Sequence, residues 1–179
     1  MKRTMVIGLV FLLVLFSCDQ NSYIRSPEII PLETLPIEQQ EVITVNDVQA
    51  YKDEVFRLAN VEREKRNIPP FQKGNQKLER AANLRALEIV SRFEHLRLDG
   101  RDLKTILSDV GISQWKVFAE NLATNSVHYH TPQDTINQWM NSEGHRIALL
   151  HPDYRYMSVG YTEEGNQAYI VQLFISYLD

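Results

Sequence analysis

Ala168–Tyr177, "AYIVQLFISY", is the stretch whose reading decides the fold. Tyr169, Val171, Leu173 and Ile175 alternate with Ile170 and Phe174, so an extended chain here is apolar on both faces. Such a strand needs a packed layer on each side. Just upstream, Met157 to Thr162 reads as a second strand, and Glu164-Gly165-Asn166 reads as the turn that joins the two into a hairpin. The covering layers must come from the residues that precede this hairpin.

Those residues carry a helical period. Val48, Tyr51, Val55 and Leu58 are spaced as one face of a helix, with Asn46 and Gln49 as a plausible cap. Pro69 and Pro70 require that helix to stop near Asn67. Leu78, Ala82, Ala86, Ile89 and Phe93 mark a second amphipathic helix, and a shorter one is expected from Asp102 to Val110, ended by Gly111. Thr131-Pro132-Gln133-Asp134 is a strong helix start, with a capping hydroxyl, proline at the first position and a carboxylate at the third. Ile136, Trp139 and Met140 supply the buried stripe of that helix. Helices first and a hairpin last give an α+β class, a small antiparallel sheet between helical layers.

The N-terminal 45 residues read differently. Lys2 and Arg3 precede an apolar run from Met5 to Phe16 that is shorter than the ~20 residues needed to span a bilayer, so residues 1–17 read as a secretory signal. The run ends in Leu15-Phe16-Ser17-Cys18, which resembles a bacterial lipobox and makes Cys18 the expected lipidated N-terminus, an ordinary signal peptide being the alternative. Residues 18–45, with Pro27, Pro31 and Pro36 and no sustained period, read as the lipidated cysteine and a flexible stalk. Residues 46–179 are then one domain with one core. Cys18 is the only cysteine, so no intramolecular disulfide supports that core. The chain has 19 lysines and arginines against 23 acidic residues, and losing Lys2 and Arg3 with the leader leaves a net charge of −6. An acidic domain of this kind argues against a nucleic-acid partner.

Three stretches place histidine or carboxylate in unusual company. "FEHLRLDG" has His95 just past the second helix, followed by Arg97, Asp99 and Gly100. "FAENLA" holds Glu120 among apolar neighbours, where a carboxylate needs a partner to offset its desolvation. "NSEGHR" interrupts a helical stretch at Ser142, Glu143, Gly144 and His145. Each also has a purely structural reading: His95 as a charge at a helix C-terminus, Glu120 as an acceptor for backbone amides, Ser142 as an ordinary N-cap. His128 and His130 would share a face on an extended chain, yet read better as a surface loop than as a metal site; His151 reads as a turn residue.

Taken in order, these stretches resemble the CAP superfamily, the SCP domain of cysteine-rich secretory proteins, venom antigens and pathogenesis-related proteins. "LANVEREKRNIPPF" resembles its first helix, with Asn60 and Arg63. "HLRLDG" resembles His-x-Arg-Pro-Asp-Gly with Leu98 for proline, and "AENLA" resembles Gly-Glu-Asn-Ile-Ala with Ala119 for glycine. "WMNSEGHRIALLHPDYRYMSVGY" and "IVQLF" are similar to the bacterial branch. The resemblance implies a three-layer α–β–α sandwich with a cleft where His95, His145 and Glu120 converge, lined also by Asn121, Ser142 and Glu143. Many eukaryotic members carry a further glutamate where this chain has Ser142, and Glu143 on a helix would point about 100° away from that place.

Two imidazoles and a carboxylate are a workable zinc set with an open fourth position. The expected protein is therefore a lipid-anchored, extracytoplasmic binding module of a bacterial envelope, with a cleft for a divalent metal, zinc first, or for a protein, peptide or lipid ligand. The alternatives are a metal-dependent, peptidase-like hydrolase, with Glu120 as base and His95 and His145 beside it, and a lipid- or sterol-binding module. No serine lies in a Gly-x-Ser-x-Gly setting, so the enzyme reading is the weaker one.

Overall fold

The computed structural model describes residues 45–128 and 130–178. The expected signal, the lipidation site Cys18 and the stalk up to residue 44 lie outside the described residues. The elements run α1 (Val45–Glu64), β1 (Gln72–Lys73), α2 (Gln76–Ser91), α3 (Thr105–Asp109), β2 (Val117–Ser126), α4 (Pro132–Asn141), α5 (Glu143–Leu150), β3 (Tyr156–Glu164) and β4 (Gln167–Ser176).

The sheet order is β1-β3-β4-β2, so β4 is flanked on both sides and β2 forms a long edge. β3 and β4 make the expected hairpin, closed at Gly165 with its φ of 59°. β2 runs antiparallel to β4 over ten residues, whereas the two-residue β1 pairs parallel to β3. The sheet is thus antiparallel apart from that short edge. Alternation along β4 works as the sequence required. Ala168, Ile170 and Phe174 pack with Val55, Leu58, Ile136, Trp139 and Leu149 of α1, α4 and α5. Val171, Leu173 and Ile175 pack on Leu78, Ala82, Ala86, Ile89, Ile106 and Leu107 of α2 and α3. Three layers follow, and each large apolar side chain sealed between them contributes roughly 1.5–3 kcal/mol.

Local chemistry explains the element ends, and it corrects several expectations. The capping box at Thr131 forms as anticipated, its hydroxyl accepting from the Asp134 amide and the Asp134 carboxylate accepting from Thr131. α1 begins at Val45, one residue before the Asn46 expected as its cap. That helix ends by Glu64, and Asn67 adopts a left-handed φ of 56° before the two prolines. α2 is capped by the Asn75 side chain and stops at Ser91, where Arg92 turns extended. Phe93, read from periodicity as part of the stripe, is therefore past the helix and 46% exposed. "FAENLA" proves to be the middle of a strand. α2 lies so close to β3 that a Cβ on Gly160 would sit 2.0 Å from the Ala82 carbonyl oxygen.

Candidate functional site: an edge strand between two histidines

Successive residues of β2 face opposite layers. Leu122 belongs with the α2 side of the core and Ala123 with the α1–α4–α5 side, so Glu120 shares the α2 face and Asn121 the other. Each of these two polar residues is held by its own layer. Glu120 is locked by Arg85 of α2, whose Nε donates to Oε1 at 2.7 Å and whose Nη2 donates to Oε2 at 3.2 Å. Both side chains are fully buried. Asn121 donates through Nδ2 to the main-chain oxygen of His145 at 3.0 Å and to Gln172 at 3.1 Å.

His95 reaches the same carboxylate from the loop after α2. Its Nδ1 lies 3.0 Å from Glu120 Oε2, while 61% of its side chain remains exposed. That hydrogen bond to Glu120 holds the imidazole more basic than usual, against the opposing effect of burial. His145, in the first turn of α5, behaves oppositely: burial lowers its pKa, and the nearby His95 lowers it further. Its Nδ1 is buried without a hydrogen-bond partner among the described residues. The pair is thus electrostatically split, His95 inclined to carry a proton and His145 to stay neutral.

Arg85 does more than pin Glu120. Its Nη1 donates to Glu88 at 2.6 Å and its Nη2 to the Glu94 carbonyl at 2.9 Å, one residue before His95. Glu88 in turn accepts a fork from Arg97, which also reaches Asp109 at 3.0 Å. The loop that carries His95 is therefore tied to α2 and α3 by alternating charges. Arg85 and Glu88 were not singled out in the sequence, although an arginine at the seventh place after Leu78, on the apolar stripe, was the signal. Arg97 was noted, and it is a buried strut of the loop.

The other expected members have local settings of their own. The helix break falls at Ser142, whose ψ of 124° separates α4 from α5, and its side chain makes no capping bond. Gly144 lies within α5, its φ is not left-handed, and a Cβ there would meet nothing within 4 Å. The break thus belongs to Ser142 and not to the glycine. Glu143 is exposed, and its side chain forms no hydrogen bond or ion pair among the described residues. Ile147 is 58% exposed, and Leu149 is the α5 residue sealed in the core. His130 is bonded to the Ser126 carbonyl at 2.6 Å and packs on Tyr51 and Tyr161. His151 is the turn residue expected, its Nδ1 accepting from the Asp153 amide.

The donor set bears on zinc. A zinc site takes three or four protein donors. Both oxygens of Glu120 already accept from Arg85, and among the described residues no three or more His, Cys, Asp or Glu side chains are grouped to hold a metal. The three-donor set does not fit. What fits is a carboxylate behind His95, fixing its tautomer and leaving Nε2 free to act.

Comparisons with known proteins agree with this architecture. Residues 56–175 match the model of the cysteine-rich secretory protein family. YkwD of Bacillus subtilis is 29% identical over 152 residues, 84% of this chain and 55% of the relative, so the chain spans about half of that protein. An extracellular SCP-domain protein of Bacillus anthracis aligns with a TM-score of 0.64 at 21% identity, over 75% of this chain and 44% of the other. An outer surface protein of Borrelia burgdorferi gives the same score at 19% identity, over 74% and 96%. With two thirds of its length inside the family's pattern and the sandwich in place, the chain belongs to the CAP, or cysteine-rich secretory protein, family.

Proposed function

We propose that this CAP domain is an extracytoplasmic, lipid-anchored binding module whose ligand sits between His95 and His145. The observation that carries this reading is the commitment of Glu120: a carboxylate held by two bonds from a buried guanidinium and a third contact to an imidazole is an orienter, not a free base. Apart from the committed Glu120, no serine or carboxylate among the described residues is hydrogen-bonded to either imidazole. A hydrolase is correspondingly disfavoured. With Glu120 committed to Arg85 and His95, a divalent metal would find only the two imidazoles, one donor short of a zinc site, so any binding there is weak. The extracellular and outer-surface character of the structural relatives supports a location outside the cytoplasm. The charged start, short apolar run and Ser17-Cys18 ending support the anchor.

Calorimetric titration of the full chain with zinc tests the site. The expected result is weak binding, lost in His95→Ala and in His145→Ala and reduced in Glu120→Gln. Binding that survives both histidine substitutions would place the metal elsewhere. Chelator-sensitive turnover of peptide or ester substrates would make the protein an enzyme and overturn the binding-module reading. Fractionation of Cys18→Ala tests the anchor: unchanged membrane retention and unchanged processing would remove it.

A further inference from the structure

β2 is a long edge strand, and the ladder shows which of its residues face outward. Val127 N–H donates to Asn166 at 3.1 Å, continuing the register in which odd-numbered residues exchange hydrogen bonds with β4. Even-numbered residues therefore point their amides and carbonyls away from the sheet. Two of those carbonyls are covered: Leu122 accepts from the Trp139 indole at 2.9 Å, and Ser126 is bonded to His130. At Phe118 and Glu120 no described residue pairs with the outward amide or carbonyl. Glu120 is 7% exposed as a residue although its side chain is fully buried, so the part that solvent reaches is main chain.

Outward amides and carbonyls repeating every second residue are complementary to another extended main chain; an acyl chain or a sterol ring offers no such pairs. We infer that the cleft takes an extended peptide, which adds a short strand to β2 opposite Phe118 and Glu120. This rests on the binding-module reading and names its ligand class. The arrangement of the histidines then has a reason. A peptide residue opposite Glu120 turns its side chain toward the α2 layer, where His95 and the exposed Leu96 and Leu98 lie. Its neighbours turn toward the α5 layer, where Asn121 holds the His145 main chain. The imidazoles thus flank an added strand from both sides of the sheet. Trp139, seated on the Leu122 carbonyl, ends the open stretch. The paired segment is therefore short, and the rest of the peptide must leave the sheet or terminate there.

The probe is a randomised heptapeptide library displayed on phage and selected on the full chain, followed by synthesis of a selected peptide with one N-methyl group at each position in turn. N-methylation at alternate residues of one parity should weaken binding at least about tenfold, and at the other parity by less than about twofold. Amide exchange at Phe118 and Glu120 should slow on binding. Phe118→Pro should remove peptide affinity while keeping the fold, since that N–H faces away from β4. A selected peptide that is lost in His145→Ala yet indifferent to N-methylation would sink the edge pairing and keep the binding module. Recovery of no peptide, or protection confined to another surface, would also sink it; the zinc titration judges the module separately.

Discussion

Among the described residues two arginines are entirely buried, one in each helical layer, and they do different work. Arg63 of α1 meets no carboxylate among the described residues. It donates to the carbonyls of Pro69, Leu149, His151 and Tyr154 at 2.8–3.2 Å and lies 3.8 Å over the Phe71 ring. Two of those carbonyls end α5, where the helix dipole favours a cation. Burial pulls its pKa down to about 10, which leaves it charged at neutral pH. Arg85 of α2 meets Glu120 and Glu88, and their attraction outweighs the cost of burial. The first arginine ties main-chain segments together, whereas the second transmits its position to a titrating side chain. A buried cation thus serves the fold or the site according to what it is given to hold.

The sharpest way to break the comparison is Arg63→Ala. It strands four carbonyls and opens a cavity, so unfolding in urea should show a loss on the order of 3–5 kcal/mol. Arg63→Lys should restore little, because an ammonium cannot reproduce the planar fork. A loss below about 1 kcal/mol would mean that water replaces the guanidinium and that the clamp is incidental. Next in size is Arg85→Met, which leaves the Glu120 carboxylate buried beside an exposed imidazole and should cost on the order of 3 kcal/mol. The double variant Arg85→Met with Glu120→Met should recover much of that loss while removing the basic shift of His95. If the double variant is as unstable as the single one, the ion pair is not what the single change disturbs.

The smallest effect is the most specific. His95 is raised by its bond to Glu120, so its contribution to stability is complete below about pH 6.5 and fades as pH climbs through its higher folded value. His145 is lowered by burial, so its contribution is present above about pH 6.5 and fades as pH falls through its lower folded value. The two losses fall on opposite sides of about pH 6.5, so the pair gives a stability maximum near that pH, with the exposure of His95 weakening the fall on the alkaline side. NMR titration of the imidazole carbons separates them: Glu120→Gln should move the His95 midpoint down and leave that of His145 unchanged or higher. An unmoved His95 would show that Glu120 is not its anchor.

The alternating faces of β4 were readable because a strand sealed on both sides leaves no polar residue to confuse its period. Thr131-Pro132-Gln133-Asp134 was readable because a cap is local chemistry. β2 was not read as a strand, since Glu120 and Asn121 interrupt its apolar run; their partners, Arg85 and the His145 carbonyl, are far away in the chain. Phe93 misled for another reason. Spacing extends a stripe past the point where the helix ends. The triad of His95, Glu120 and His145 was found as residues, but their roles waited on Arg85, which turns a presumed metal ligand into a support.

Gly160 has a mechanical consequence for that support. Its missing side chain sets the thickness of the α2–sheet layer, since any Cβ there would collide with the Ala82 main chain. Ala82 lies one helical turn before Arg85, so a methyl group at 160 would lift the helix that carries the guanidinium. The calibration of His95 is therefore held partly by a position on β3 that touches neither histidine, and the spacing between two backbones acts as the adjusting screw.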